Sequence, residues 1–264
     1  WRIGQLLNWY ARAGNAHGLH SPFVFALYNE VINRKNYSPS KALISQHQNI
    51  EALRNRLVSD SQTIINVMDF GTGGKSNQFR SLSLKALTNM ATPKIQGRFL
   101  YLLVNYLKPK MVLELGTNIG LGTAYFASGL EIGSLITTVE GCPNVAKQAR
   151  NNFEKLGINS ISQEVGNLDS ILEKIVAKES SLGLVYFDAN HAYEPTLKYF
   201  TLCLDKVNEQ SVFLFDDLRY SPEMMKAWNE IKQHKKVTVT IDMFDQGLVF
   251  FKADQAKQHF YLKP

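Results

Sequence analysis

Between residues 111 and 252, short β-type runs alternate with longer helical stretches, and this alternation limits the fold more than any other feature of the chain. Residues 111–115, 135–140, 160–165, 184–188 and 212–216 read as strands. Each is followed by a helix-like stretch, at about 123–130, 144–156, 169–178, 194–207 and 222–234. Residues 237–241 and 248–252 then read as two strands joined at Asp245-Gln246-Gly247, a hairpin-type turn. Parallel strands need crossover connections, and helices supply them while covering both faces of the sheet. Five such units with a terminal hairpin predict a doubly wound, mostly parallel α/β sheet.

Upstream of Lys108-Pro109 the pattern is different. Residues 4–13 are amphipathic. Ser21-Pro22 opens a helix, because Ser can cap it and Pro is tolerated where the first N–H is not needed. Residues 40–58 place Leu43, Ile50, Leu53 and Leu57 at helical spacing, and residues 95–107 form a further apolar-periodic stretch. The formal charge of +6 sits entirely in this region: residues 1–100 hold 12 Lys and Arg against four Asp and Glu, and the remainder 17 against 19. These charges are scattered singly apart from Arg34-Lys35, with no Arg-rich run and no RNA-binding aromatic signature. A solvated surface is expected, and not a nucleic-acid partner. Cys142 and Cys203 form no disulfide or metal pattern, no apolar run approaches the ~18 residues needed to span a bilayer, and Trp1-Arg2-Ile3-Gly4 begins no signal peptide. A cytoplasmic location without membrane association is the expectation.

The loop from Glu114 to Gly122 lies after the first strand of the alternating region, where ligands bind in open α/β sheets. Gly116 and Gly120 let the backbone approach a ligand closely. The acids that follow narrow its identity. Glu140 ends the next strand, where a carboxylate can accept both hydroxyls of an adenosine ribose. Glu114 adds a carboxylate that would repel a pyrophosphate and attract an ammonium or sulfonium group. Gly166-Asn167, at the end of the third strand, is placed to meet an adenine edge.

The run Val112-Leu113-Glu114-Leu115-Gly116-Thr117-Asn118-Ile119-Gly120 resembles the first motif of class I S-adenosylmethionine-dependent methyltransferases, especially the small-molecule O-methyltransferases. Thr138-Val139-Glu140, Gly166-Asn167, Val185-Tyr186-Phe187-Asp188 and Phe213-Leu214-Phe215-Asp216-Asp217 continue it, over roughly residues 95–252. The resemblance implies a Rossmann-like seven-stranded sheet of order 3-2-1-4-5-7-6 with strand 7 antiparallel. It implies a methyltransferase domain over 95–264, preceded by a mainly helical extension or cap over 1–94. It also implies a cofactor set of Glu114, Gly116, Thr117, Asn118, Gly120, Thr123, Glu140, Gly141, Asn167 and Asp188. Homodimers are common in the resembled family.

Methyl transfer to oxygen needs an aligned acceptor that has lost its proton. Asp188, Asp216 and Asp217 lie at the ends of adjacent expected strands. The resemblance to catechol-type and caffeoyl-coenzyme-A-type enzymes implies that they hold Mg2+ or another divalent cation, although Asp217 stands where those families have Asn. The competing structural reading makes them helix caps or partners of Arg219. In Asp188-Ala189-Asn190-His191-Ala192-Tyr193, His191 stands where those families place a Lys, and imidazole is a suitable base near neutral pH. The Asp-x-x-His-x-Tyr form resembles a further O-methyltransferase branch, which makes His191 and Asp188 the catalytic candidates and a small hydroxylated molecule the acceptor. A nucleic-acid or protein methyltransferase and a cofactor-binding protein without transferase activity are the alternatives.

Two upstream features compete for attention. Asp69-Phe70-Gly71-Thr72-Gly73-Gly74 imitates the first motif, but no acidic second strand follows it. A phosphate loop ending in Gly74-Lys75-Ser76 would need Gly at position 69, which is Asp69. The segment reads as a Gly-rich turn, or as a lid bringing Lys75, Ser76 and Arg80 to the acceptor. His17 and His20 read as part of a turn before a helix.

Overall fold

The computed structural model describes residues 1–33, 39–69 and 78–264. The chain forms two compact units, one made of Trp1–Asn36 with Leu172–Pro264 and the other of Tyr37–Ile171.

In the first unit, α1 (Arg2–Arg12) buries only Trp9, whose indole N–H donates to the Asp242 carbonyl at 3.1 Å. A 3-10 turn at Ala16–Gly18 is capped by the Asn15 side chain, so His17 and His20 fall in and just after a turn that precedes a helix. That helix, α2 (Pro22–Leu27), starts as its sequence predicts. Ser21 Oγ accepts the Val24 N–H at 3.4 Å and Pro22 takes the first position.

The second unit begins with α3 (Lys41–Ser59), capped by Ser40 and burying Leu43, His47, Ile50, Leu53 and Leu57 along one stripe. β1 (Ile64–Asp69) and β2 (Gln78–Ser83) form an antiparallel pair that the sequence pattern does not announce. Adjacent Ile64 and Ile65 break the alternation, and the pair is held by contacts remote in sequence. The Met68 N–H points at Cys142 Sγ (3.2 Å), and Asn144 Nδ2 donates to the Asn66 carbonyl (2.8 Å). The segment carrying Phe70 to Ser76, with Lys75, lies outside the described residues, and Arg80 stands exposed on β2. α4 (Leu84–Met90) and α5 (Lys94–Leu107) follow.

Next come β3 (Met111–Leu115), α6 (Leu121–Gly129), β4 (Leu135–Glu140), α7 (Pro143–Lys155), β5 (Ile161–Val165) and α8 (Leu168–Lys178). β3 pairs with β4 and β4 with β5, both in parallel. α5 and α6 approach closely because Gly97 and Gly129 leave room for the Tyr125 ring and for the Tyr101 carbonyl.

The first unit resumes with β6 (Leu184–Phe187), α9 (Tyr193–Cys203), β7 (Val212–Phe215), α10 (Pro222–Gln233), β8 (Val239–Asp242), β9 (Gly247–Phe250) and β10 (Gln258–Tyr261). Its strands run in the order β6-β7-β9-β8-β10, with β9 antiparallel to both neighbours. The two parts of the expected order, 3-2-1 and 4-5-7-6, thus appear as β5-β4-β3 and β6-β7-β9-β8. β10 is an additional strand, parallel to β8. β6, β7, β8 and β9 are buried at every position, the signature of strands covered on both faces.

The terminal turn falls earlier than Asp245-Gln246-Gly247. It occupies residues 243–246, and the residue with positive φ is Phe244 (+77°), not glycine. Gly247 is already in β9, where a Cβ would collide with the Trp228 ring and Leu218 at 2.6–2.9 Å. No described helix is long and apolar enough to cross a membrane.

Candidate active site

In the second unit, the chain leaves β3 through a tight loop. Gly116 (φ +109°), Asn118 (+50°) and Gly120 (+81°) all take positive φ. The N–H groups of Gly116 and Thr117 both donate to the Val139 carbonyl, at 3.0 and 3.1 Å, and Gly120 N–H closes back on the Thr117 carbonyl. Any side chain at Gly120 would also strike the Phe153 ring, so this position requires glycine on two counts.

Glu140 ties this loop to the next one. Its Oε2 accepts the Asn118 N–H and its Oε1 the Cys142 N–H, both at 2.9 Å. Burial pushes its carboxyl up to about 7, against the pull of N–H groups from Cys142, Asn118 and Gly141. Each carboxylate oxygen has more than one acceptor site, so a ribose hydroxyl can still be accepted alongside these donors. The sequence reading expected a ligand role for Glu140 and did not expect this loop-fixing one.

Glu114 is 1% exposed. Its Oε2 accepts the hydroxyls of Thr123 and Thr138, both at 2.5 Å, and Thr138 in turn meets Thr117 at 2.6 Å. Burial raises its carboxyl to about 7 despite those hydroxyls, and the neighbouring Glu140 adds to the rise. It therefore sits behind a hydroxyl shell and not as an open acid on the surface. Asn167 caps α8, its Oδ1 accepting the Asp169 N–H at 2.9 Å, while Gly166 takes a φ of +154°. Thr92, from the chain upstream, was missed by sequence reasoning. A Cβ at Gly122 would lie 2.6 Å from its Oγ1 and 3.5 Å from Glu114 Oε1. Arg54 holds Thr92 by its carbonyl at 2.6 Å, a link that no local motif reveals.

In the first unit, His191 lies beside two carboxylates. Its Nε2 is 3.6 Å from Asp188 Oδ1 and 3.9 Å from Asp217 Oδ2, with its ring 5.6 Å from that of Tyr220. Asp188 follows β6 directly. Asn190 takes a positive φ of +57°, and its side chain donates to Tyr199 Oη at 3.1 Å, which turns the chain toward α9. Asp216 Oδ2 accepts the Tyr186 hydroxyl at 2.8 Å. The helix-cap alternative for these acids is not what the structure shows at α10, which is capped by Ser221. Arg219 forks onto Asp242. Among the described residues, no group of three or more His, Cys, Asp or Glu side chains converges as a metal site.

Residues 113–218 match the family model of the methyltransferase domain. The catechol O-methyltransferase of Niastella koreensis is 29% identical over 126 residues, which is 47% of this chain and 56% of that protein. This chain therefore spans little more than half the length of that relative. Among solved structures, the SAH-bound methyltransferase PaMTH1 of Podospora anserina matches at TM-score 0.60 and 17% identity, over 89% of this chain and 98% of its own. The O-methyltransferase TomG of Streptomyces achromogenes, in complex with SAM, matches at TM-score 0.55 and 17% identity, over 85% and 96%. The fold is the Rossmann-like α/β fold of these solved structures, and residues 113–218 are similar to the methyltransferase domain family.

Proposed function

We propose that this chain is an S-adenosylmethionine-dependent O-methyltransferase acting on a small hydroxylated molecule. The observation that carries this reading is Glu140, a half-buried carboxylate that draws together the loops after β3 and β4 through Asn118 and Cys142. A carboxylate so placed, behind a loop of positive-φ residues, fits the ribose end of an adenosine. Glu114, held by the hydroxyls of Thr123 and Thr138, lies behind the same loop. The bound cofactor would supply an electrophilic methyl group.

On the acceptor side, His191 is the group that would take the proton of the acceptor hydroxyl. Asp188 and Asp217 stabilise the imidazolium that results, because each places an oxygen within 4 Å of Nε2. A divalent cation is the other group the resemblance implies, and Asp188, Asp216 and Asp217 are the side chains that would hold it. As placed, two of them face an imidazole and the third a phenol hydroxyl, so they do not form a closed oxygen cage. The two free, buried cysteines accord with a reducing, cytoplasmic setting.

Calorimetry with S-adenosylmethionine and its demethylated product tests the cofactor half of the reading, and their failure to bind sinks it. Mass spectrometry of a hydroxylated acceptor panel, with and without EDTA, tests the other half. Full cofactor affinity without methyl transfer favours a binding protein. Turnover abolished by EDTA assigns deprotonation to a cation.

A further inference from the structure

A buried ion pair that the reaction scheme does not use joins the loop after β7 to the turn between β8 and β9. Arg219 and Asp242 are each 2% exposed. The guanidinium meets the carboxylate as a fork, NH1 to Oδ1 and NH2 to Oδ2, both at 2.9 Å. Arg219 also donates to the Phe244 carbonyl and lies 4.7 Å from the centre of the Phe244 ring. The Phe244 N–H returns to Asp242 Oδ1 at 2.9 Å, and the Leu218 N–H donates to the Asp245 carbonyl at 2.9 Å. α1 presses on the same turn, through Trp9 on the Asp242 carbonyl and Arg2 on Asp245 at 2.7 Å.

The close chain neighbours of Arg219 are the two groups this loop presents to His191. Asp217 precedes it by two residues and Tyr220 follows it. Asp217 takes φ +53°, a region that costs a residue with a Cβ, and the Tyr220 N–H closes onto its carbonyl at 2.8 Å. Such a conformation persists only where the surroundings over-determine it. The Leu218 bond and the fork on Arg219 supply that constraint at the two residues that follow Asp217.

We propose that Arg219 and Asp242 are positioning residues: their fork fixes the turn from Asp217 to Tyr220 so that the Asp217 carboxylate stays against His191. Neither residue touches the acceptor; both act through Asp217. The proposal rests on the reading of His191 as the base.

The test uses Arg219→Lys in the full chain, which keeps the cation and loses the fork. The first readout is the nitrogen-15 and proton resonances of the His191 ring in the cofactor-free protein, assigned by their loss in His191→Gln. Arg219→Lys should move them in the direction that Asp217→Asn does, and should add nothing in an Asp217→Asn background. The second readout is kinetic. The value of kcat should fall about tenfold in either single variant and no further in the double, with the acceptor KM and cofactor Kd within about twofold of the parent. His191 resonances that stay put in Arg219→Lys but move in Asp217→Asn would overturn the proposal, as would additive losses in kcat. If Arg219→Lys fails to fold by circular dichroism, Asp242→Asn is read the same way, since it keeps an acceptor for the Phe244 N–H. A parent that transfers no methyl group defeats the functional reading alone, because the resonance arm still decides the positioning.

Discussion

Glu114 and Glu140 show how a residue type underdetermines its behaviour. Both are carboxylates at strand ends, and both are raised to about 7 by burial. A carboxyl raised above its unfolded value binds its proton more tightly in the folded state. Its contribution is therefore fully present below pH ~4.5 and lost as pH rises through about 7. Glu114→Gln should become more stable relative to the parent between pH 5 and pH 8, by about 1–3 kcal/mol at the upper end. Urea denaturation at the two pH values checks this, and a gap that stays constant contradicts it. His47 runs the other way. Burial lowers it to about 4, and its Nε2 meets Ser128 Oγ at 3.1 Å while that hydroxyl donates to the Tyr125 carbonyl. The ring is then neutral with its proton on Nε2, and it contributes a loss of stability as pH falls from about 6.5 toward 4. Gly120 offers a simpler test at the same scale. Ala there meets both a positive φ and the Phe153 ring, so Gly120→Ala should cost about 1–3 kcal/mol. A thermal midpoint equal to the parent's would contradict it.

At the scale of elements, most helices and the strands of the alternating region followed from local pattern, whereas α4, β1, β2 and β10 did not. α2, α3 and α10 begin at Ser21, Ser40 and Ser221, each accepting an N–H three residues on. β6, β7 and β9 are continuous apolar runs between turns, which few other structures accommodate. The β1–β2 pair and β10 lack such signals, being half-exposed and stabilised from outside. The pair leans on α7 through Asn144, whose removal deprives the Asn66 carbonyl of its donor. Asn144→Ala should raise amide hydrogen exchange across Ile64–Asp69 several-fold, with the thermal midpoint changed by less than about 2 °C. Exchange unchanged in β1 would mean that Asn144 does not hold it.

For the whole molecule, a ligand that binds only the folded chain stabilises it by mass action. S-adenosylhomocysteine at one hundred times its dissociation constant should add about 2.7 kcal/mol to the unfolding free energy. Glu140→Ala should abolish most of that gain, because the loops after β3 and β4 lose their common acceptor. His191→Gln should leave it intact while lowering kcat by roughly 10²–10⁴. Thermal shift titrations on the three proteins check both statements.

The alternation of strand and helix, the positive-φ loop at Gly116 to Gly120 and the acids at strand ends were legible in the chain itself. They depend on local periodicity, on backbone conformation and on where a strand must stop. Tertiary structure alone decided which of those acids are open and which are buried. It also set Arg219 as a fork on Asp242, moved the final turn to Phe244, and brought Thr92 beside Gly122. The physical reason is the same in each case. Desolvation and hydrogen-bond partnership depend on groups remote in sequence, and no local pattern records who those partners are.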